Sequence, residues 1–397
     1  MAAFSVSKFS VSAFVVLITL SSIHATAAKK GPVKRIWYKA PDLYPEGVSY
    51  EAKHDQFLVS SLRTPCITAV KEDGSFNTFV CDPEFEGKLV LGVRVDEPRN
   101  RVVAAVSSMS PDEIYAAVVG YDLDTADRVL FTRLDEVTPE PLGDPEDSDY
   151  LKPPAVANDV AIDAKGNLYV TNTLGNSIWK VGTDGAASVL TADPLFSSLP
   201  NVYQVPDLGA VGLNGIEYHP KGFLLVGHTS AGALFKVTFS LFSTAVTVSV
   251  VNLDETIPGV DGIVLRPDGK LVAASVFGIH LVESNDNWAS AKLVETVSLK
   301  SSEPATAITL KDGLVYANLG QVHKLRAGKS NKWFELRLIE FQSDAKSKPK
   351  SKPTAARAAK KGAKSTQSAV PVVLISGGLL ALLALALAKD KKGAKHH

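Results

Sequence analysis

Four side chains that can offer oxygen atoms stand at corresponding positions of a repeated motif in this 397-residue chain. Each copy reads strand, tight turn, strand, and the clearest copies are "NDVAIDAKGNLYVTN" (158–172), "NGIEYHPKGFLLVGH" (214–228) and "DGIVLRPDGKLVAAS" (261–275). The four side chains are two carboxylates and two amides: Glu46, Asn158, Asn214 and Asp261. Carboxylate and carbonyl oxygens are the ligands that Ca²⁺ prefers. The motif therefore predicts a site for Ca²⁺ or another divalent cation.

The alternative explanation is local structure, because Asn and Asp are common turn residues that cap strand ends. Four of them at equivalent repeat positions favour a metal site instead. The set contains no Cys or His, which argues against a dedicated zinc or copper site. Asp159, beside Asn158, stands where sister copies have Gly, and we expect it to cap its strand.

The repeat also predicts the fold. Copies begin at positions 46, 91, 158, 214, 261 and 304, and the chain between them is rich in short apolar strands and Gly or Asp-Gly turns. A period in the forties with several strands per unit is typical of a β-propeller blade. We therefore predict an all-β protein with one six-bladed β-propeller over residues 33–341. The first strand of each blade lines the central channel, so the opening residues, including Leu91 and Pro304, should converge.

Segments outside the six copies complete the predicted domain. We expect "VHKL" and "WFELRLIEF" to supply the outer strands of the last blade. We expect "RIWYKA" (35–40) to close the ring by pairing with that blade. Insertions at 135–154 and 192–209 should project from the face where the opening residues lie. Loops of this size are often lids or binding loops, although tolerated insertion is the alternative. The apolar second insertion indicates a hydrophobic small-molecule ligand.

The chain has two cysteines, Cys66 and Cys81. They flank "ITAVKEDGSFNTFV", in which Asp73-Gly74 is a strong two-residue hairpin turn. If residues 72 and 75 pair across that turn, Cys66 falls directly opposite Cys81. In a secretory protein this arrangement predicts a cross-strand disulfide. Two free thiols are the alternative, because not every opposed pair has the geometry that a disulfide requires.

Both ends of the chain carry apolar segments outside the repeat. Residues 1–28, with "FVVLITL" and "ATA", are typical of a secretory signal peptide, and an organelle transit peptide is the alternative. Residues 369–388 are uncharged and long enough for a C-terminal transmembrane helix. A basic linker (342–368), expected to be disordered, precedes them, and a basic tail (389–397) follows. We expect a lumenal or extracellular propeller anchored to the ER, vacuolar or plasma membrane, or to an organelle membrane if the leader is a transit peptide.

The formal net charge of zero conceals a division along the chain. Residues 344–397 hold 12 of the 42 Lys and Arg but two of the 42 Asp and Glu, so the rest carries 30 basic and 40 acidic residues. An acidic body without a basic patch is not expected to bind nucleic acid. The expected partners are a small, fairly apolar substrate and the membrane.

The stretches "PEGVSY", "ANDVAID", "LNGIEY" and "VDGIVLRPDGKL", in that order, resemble the SMP-30/gluconolactonase/LRE-like family of six-bladed β-propellers. That family belongs to the calcium-dependent phosphotriesterase superfamily and is related to paraoxonases and strictosidine-synthase-like proteins. The resemblance covers most of residues 40–320. It implies that a calcium or related divalent ion at the channel mouth polarises a lactone, ester or phosphoester.

The resemblance also implies individual roles. Glu46, Asn214 and Asp261 match direct metal ligands, and Asn158 matches an amide that contacts the metal directly or through water. Asp261 further matches the carboxylate proposed as general base or nucleophile. These roles agree with the physics, because a cation stabilises charge developing on a carbonyl or phosphoryl oxygen while a carboxylate activates water.

Two departures from the family pattern narrow the range of expected substrates. Gluconolactonase-type members carry an Arg where this chain has Val156, and blade two lacks the histidine pair of paraoxonases. A sugar lactone is therefore not the expected substrate. One alternative is a strictosidine-synthase-like condensing enzyme, which needs no metal and which the four retained oxygen donors disfavour. Another is a non-catalytic, calcium-stabilised propeller that binds a ligand or a protein.

The ends of the second strands should return to the same face and form a substrate rim. The repeat places Asn172, His228, Ser275 and Asn318 there. The pKa of histidine suits proton transfer near neutrality, so we name His228 as a second catalytic candidate. A structural or solvated histidine is the alternative.

Overall fold

The structure is a computed structural model that describes residues 31–108, 110, 113–137, 155–205, 209–240 and 245–347. The propeller lies in a compact unit that begins at Val33. The predicted signal peptide, transmembrane helix and basic tail, and most of the predicted linker, lie outside the described residues. Within the described part of the chain, no helix is long and apolar enough to cross a membrane.

Six sheets form the six blades, which confirms the predicted all-β six-bladed propeller. The chain enters through β1 (Arg35–Tyr38). Blades one to three contain β2 (Val48–Glu51), β3 (Gln56–Val59), β4 (Cys66–Val70), β5 (Phe76–Cys81); β6 (Leu89–Asp96), β7 (Arg101–Ser107), β8 (Ala116–Asp122), β9 (Arg128–Arg133); and β10 (Ala157–Ile162), β11 (Leu168–Asn172), β12 (Ser177–Val181), β13 (Ala187–Thr191).

The remaining blades follow the same inner-to-outer order. Their strands are β14 (Leu213–His219), β15 (Phe223–His228), β16 (Ala233–Phe239), β17 (Val246–Val250); β19 (Val260–Leu265), β20 (Leu271–Ser275), β21 (Gly278–Glu283), β22 (Ser290–Ser298), with β18 (Asn252–Leu253) beside β22; and β23 (Ala307–Lys311), β24 (Leu314–Leu319), β25 (Phe334–Ile339). Short helices are α1 (Val322–Arg326), α2 (Gln342–Ser347) and 3-10 turns at Pro83–Phe85, Glu97–Arg99 and Pro194–Ser197.

The ring closes as predicted, because β1 pairs with β25 and becomes the outer strand of blade six. The prediction that "VHKL" forms another outer strand is wrong. That stretch lies in helix α1, where Val322 and Leu325, one turn apart, are both buried. Gln321 adopts a φ of 55°, which ends the preceding extended segment. With β1 in place, blade six needs no further strand.

The core lies between neighbouring blades. Middle strands are covered on both sides, so β11 and β15 are buried at every residue and their sequences read as nearly continuous apolar runs. The outer strand β17, "VTVSV", alternates partly buried and exposed residues instead, because solvent covers one side of it.

The inner strands approach one another closely around the channel. A Cβ added at Gly47 would lie 2.6 Å from the Leu91 carbonyl oxygen of the next blade, and one at Gly215 would lie 2.7 Å from the Ile263 nitrogen. Real Cβ atoms do not come this near to backbone. Glycine at positions 47 and 215 is therefore required by packing, and it lets the opening residues crowd around the axis.

Cys66 and Cys81 face each other in β4 and β5 and form a disulfide, as predicted. The predicted pairing at the turn itself is wrong, because the Lys71 N–H donates to the Ser75 carbonyl and three residues form the loop. A bulge beyond Thr68 then shifts the register by one residue and restores the opposition of the two cysteines. Helix α2 also extends the folded chain into the predicted linker.

Candidate functional site

The structure brings the four predicted cation ligands together. Glu46, Asn158, Asn214 and Asp261 are all buried and line one cavity at the start of the inner strands. The cavity has a volume of about 20 Å³, which is room for an ion or a water molecule but for no organic substrate. Four inner strands, from blades one, three, four and five, therefore present oxygen-bearing groups to one enclosed point on the channel.

The other two opening positions differ from the four. Leu91 does not line the cavity and packs in the apolar layer above it. In blade six the cavity is lined by Thr306 rather than by Pro304 as the repeat alignment implied. The turn between β23 and β24 is shorter than in blade three, because Lys311 pairs with Leu314 whereas Ile162 pairs with Leu168, so the cavity position falls two residues later than the alignment implied. The Thr306 hydroxyl donates to the Glu46 carbonyl oxygen at 2.7 Å.

Two polar atoms in this cavity have no hydrogen-bond partner in the described structure: Oδ1 of Asp261 and Nδ2 of Asn158. Buried polar atoms are nearly always paired, so the two indicate a ligand that belongs between them. The oxygen and nitrogen of an amide exchange places when it is turned by half a rotation, which would direct an Asn158 oxygen into the cavity. The donor set therefore fits a hard divalent cation such as Ca²⁺.

The electrostatics agree with this fit. Burial raises the pKa of Glu46 well above its usual value, and the charges of Asp261 and Asp159 raise it further. Burial and the Asp159 charge likewise raise the pKa of Asp261, against a smaller lowering by the Asn214 amide. Ionised carboxylates at this depth require a compensating positive charge.

Asp159 is a cavity residue that the sequence analysis did not assign to the site. Its Oδ1 accepts from the Val160 N–H at 2.8 Å, which is the predicted strand cap, but its Oδ2 also accepts from Ile216 of the next blade at 3.3 Å. The carboxylate occupies space beside Gly92 and lines the cavity. The departure from Gly at this column of the repeat was the signal that could have revealed it.

Arg94 and Glu217 were also missed, and they form an ion pair of 2.8 Å lower in the channel. Both lie three residues after an opening position, which in a regular strand would place them on the opposite face. The bulges at Val90/Val93 and Leu213/Ile216 add one residue, so the third residue faces the channel again. Burial raises the pKa of Glu217 to about 7, although the charge of Arg94 opposes the shift.

An apolar layer, which we call the roof, lies above the cavity. It consists of residues at or just before the starts of the inner strands, one residue of the second insertion and one residue of α1. All of them belong to one core cluster and are no more than 6% exposed. They are Leu43, Tyr44, Leu91, Val156, Val205, Val211 and Val322. Blades one, two, three, four and six all contribute to this buried layer at the end of the channel where the opening residues lie.

The second insertion lies on the predicted face. The backbone N–H groups of Val202 and Tyr203 donate to the Ser230 carbonyl at 2.9 and 3.0 Å, and Phe196 is buried beneath the segment. Val202 and Phe277 are 50% and 54% exposed on this side, and the Phe277 ring contacts Tyr203 edge-on. Of the first insertion, residues 138–154 lie outside the described residues.

The four residues predicted as a rim do not line the cavity, and all are buried. Asn172 Oδ1 accepts from the Val156 and Gly175 N–H groups, each at 3.0 Å. The Ser275 hydroxyl lies 2.8 Å from His280 Nε2, and Asn318 Nδ2 donates to the Glu46 carbonyl at 3.1 Å. These contacts hold the turns around the opening residues, and none of the rim side chains faces open solvent here.

His228, the second catalytic candidate, has partners on the protein. Its Nδ1 accepts from the Ala231 N–H at 3.1 Å, and its ring also bonds the backbone of Phe196 in the second insertion. Burial lowers its pKa, so the ring is neutral at physiological pH. In this arrangement His228 fastens the insertion to blade four.

Within the described ranges, no group of three or more His, Cys, Asp or Glu side chains is arranged to hold a metal ion. The cavity described above combines carboxylates with amides, as the sequence analysis predicted.

The fold matches solved six-bladed propellers. The major allergen Mala s 1 of Malassezia sympodialis aligns over 77% of this chain and 96% of its own, with 19% identity and a TM-score of 0.61. A gluconolactonase from Xanthomonas campestris aligns over 77% of this chain and 88% of its own, with 14% identity and a TM-score of 0.50. A putative gluconolactonase gives 78% and 96% coverage, 15% identity and the same score. The resemblance found in the sequence is thus confirmed at the level of the fold.

No protein-family model matches the sequence, and no curated protein matches it either.

Proposed function

We propose that this chain is a hydrolase of lactones, esters or phosphoesters that depends on a divalent cation, with Ca²⁺ as the leading candidate. One observation carries the proposal: Asp261 and Asn158 direct unpartnered polar atoms into an enclosed cavity that Glu46 and Asn214 also line. Gluconolactonases among the structural matches are consistent with a hydrolase but show the fold alone.

Each residue has a defined part in this function. Glu46 and Asp261 supply the negative charge that holds a divalent cation, and Asn158 and Asn214 supply neutral oxygens. A bound cation would supply Lewis-acid chemistry toward a carbonyl or phosphoryl oxygen. Asp261, whose Oδ1 has no partner among the described residues, would contact the cation and is also the carboxylate that would take a proton from an attacking water.

We expect substrate to approach from the roof side, where the second insertion lies. The cavity of about 20 Å³ admits no organic molecule, so turnover requires displacement of the roof above it. Val205 is the roof residue contributed by the second insertion, and that segment is the element that has to move. The exposed Val202 and Phe277 beside it favour a substrate with an apolar arm.

The test combines activity with a matched control. Full-length chain is assayed on aryl esters, aliphatic lactones and phosphotriesters with added Ca²⁺ and with EGTA, and Asp261→Asn is compared with Asp268→Asn. Asp268 is an exposed carboxylate of the same blade. The proposal expects calcium-dependent turnover that Asp261→Asn abolishes and Asp268→Asn retains. Turnover that survives both EGTA and Asp261→Asn would exclude it.

The closed roof favours a second candidate, a non-catalytic propeller that binds a ligand or a protein and holds a cation for stability. In that case Ca²⁺ stabilises the fold, yet no substrate class is turned over even when the roof is loosened by Val205→Ala.

We propose that the propeller lies in the secretory lumen or outside the cell. The Cys66–Cys81 disulfide supports an oxidising compartment such as the secretory lumen or the cell exterior. Anchoring by residues 369–388 rests on their apolar sequence. Protection of the propeller from added protease in sealed vesicles, compared with its labelling by a membrane-impermeant reagent on intact cells, would distinguish a lumenal from an external body.

A further inference from the structure

The central channel contains a second cavity below the candidate cation site. This lower vestibule has a volume of about 330 Å³ and is lined by the next residues along the same inner strands. Where the upper cavity has Val48, Ile263 and Ile308, the vestibule has Ser49, Val264 and Thr309. Exposed Glu97 and Pro98 stand at its outer edge, so it opens to solvent on the face opposite the roof.

Arg94 is the side chain that lines both cavities. It belongs to blade two, and its Nε donates to the Val160 carbonyl of blade three at 3.2 Å. Its Nη2 lies 3.4 Å from the Ile216 carbonyl and 2.8 Å from Glu217 Oε2, both of blade four. The guanidinium thus reaches across the channel to two further blades and forms a septum between the two cavities.

The two ends of the channel present different barriers to an ion. The roof side chains are apolar apart from the Tyr44 hydroxyl, which donates to the Lys329 carbonyl, and moving an ion through such a layer is costly because its hydration is lost without replacement. The lower side is lined by hydroxyls of Ser49, Tyr50 and Thr309 and by the carboxylate of Glu217. These groups can replace water ligands of a cation, and the Glu217 charge becomes available to attract the cation once its ion pair with Arg94 opens.

We propose that the divalent cation reaches and leaves its site through the lower vestibule, and that Arg94 closes this route. The proposal rests on the proposed cation site. It assigns the vestibule as a transit site for a partly hydrated divalent cation, and it separates ion exchange on one face from substrate access through the roof on the other.

Exchange kinetics test the route. Full-length chain loaded with Ca²⁺ is mixed rapidly with an excess of a fluorescent calcium chelator, and the rate of Ca²⁺ release is measured. Arg94→Met removes the septum's charge and its donors, and Arg94→Lys keeps the charge but cannot span the three partners. Equilibrium titration with Ca²⁺ alone reports whether each variant retains its site.

Both Arg94 variants should release Ca²⁺ at least about tenfold faster than the unaltered chain. Loss of a nearby positive charge alone would act in the opposite direction, because Arg94→Met would then bind Ca²⁺ more tightly and release it more slowly. Arg99→Met, which removes an arginine outside the vestibule lining, is the matched control and should stay within about twofold.

The roof variant Val205→Ala tests the opposite route. Unchanged or slower release in both Arg94 variants would overturn the proposal, and so would faster release in Val205→Ala alone. If the unaltered chain binds no Ca²⁺ at equilibrium, the proposed cation site is wrong. If it binds Ca²⁺ but the Arg94 variants release it at the same rate, the site stands and the proposed route is wrong.

Discussion

Asp261 lies near enough to Glu46 for its negative charge to raise the pKa of Glu46, in addition to the larger effect of burial. The two residues come from blades five and one, separated by more than half of the propeller sequence. Asp159 adds a third carboxylate to the same cavity. Such a concentration of acidic groups away from water is stable when a cation is bound or when protons neutralise part of it.

We expect Ca²⁺ to stabilise the folded chain. A cation that binds the folded state alone adds about 2.7 kcal/mol to the free energy of unfolding at a hundredfold excess over its Kd. Thermal or urea unfolding in CaCl₂ and in EGTA measures this difference. Glu46→Gln and Asp261→Asn should lose most of it, whereas Asp268→Asn should keep it. An equal response in all three variants would contradict a role for these carboxylates.

The stability of the cation-free chain should fall as the pH rises. The folded-state pKa values of Glu46 and Asp261 are raised, mainly by burial, so these groups hold protons that the unfolded chain releases above about pH 4. Where the folded state binds more protons, the free energy of unfolding decreases with pH. Glu217, with its pKa raised to about 7 by burial, extends the decline toward neutrality.

Calcium should reverse this trend, because it binds the ionised carboxylates and its effect grows with pH. Urea unfolding at intervals between about pH 5 and 8, in EGTA and in CaCl₂, gives the two slopes. The double variant Glu46→Gln/Asp261→Asn should flatten the slope in EGTA. A slope that persists unaltered in that variant would assign it to other groups.

Asp159→Asn should weaken calcium binding by about tenfold, which corresponds to about 1.4 kcal/mol. The substitution removes one negative charge beside the cavity and keeps the size of the side chain. Isothermal titration with CaCl₂ measures the affinity. Unchanged affinity would show that the Asp159 charge is balanced by Arg94 and is not felt by the cation.

His228→Ala should affect stability more than turnover. The ring bonds the Ala231 backbone of blade four and the Phe196 backbone of the second insertion, so its loss should cost about 1–2 kcal/mol in unfolding free energy and change kcat by less than about threefold. Steady-state kinetics on whichever ester is hydrolysed, together with urea unfolding, separates the two effects. Loss of one limb of the pH–rate profile would instead restore His228 as a proton-transfer residue.

Reduction of the Cys66–Cys81 disulfide should destabilise blade one. The bond joins residues 15 apart, and a loop of that size corresponds to about 3 kcal/mol. Unfolding with and without reductant, compared with a Cys66→Ser/Cys81→Ser chain, measures the contribution. A reduced protein as stable as the oxidised one would show that the sheet alone fixes this hairpin.

Much of the site could be predicted because it repeats. The motif that contains Asn158 recurs at Asn214 and Asp261, and one alignment assigns all three to the same end of the channel. The alignment placed blade six wrongly because the turn between β23 and β24 is shorter than in blade three, which moved the cavity position from Pro304 to Thr306. The short helix at Val322 was not predicted either. The repeat predicted an outer strand there, but strand β1 from the N-terminal end of the propeller is the outer strand of blade six.

The sequence by itself determined the number of blades and the four oxygen donors, since both follow from the periodicity of the repeat. The tertiary structure alone decided how charge and access are arranged. Bulges turn Arg94 and Glu217 into the channel, Asp159 enters a space that a neighbouring glycine leaves, and residues of five blades meet as a roof. These features depend on which blades face one another across the axis, and contacts between residues so distant in the chain leave no periodic trace in it.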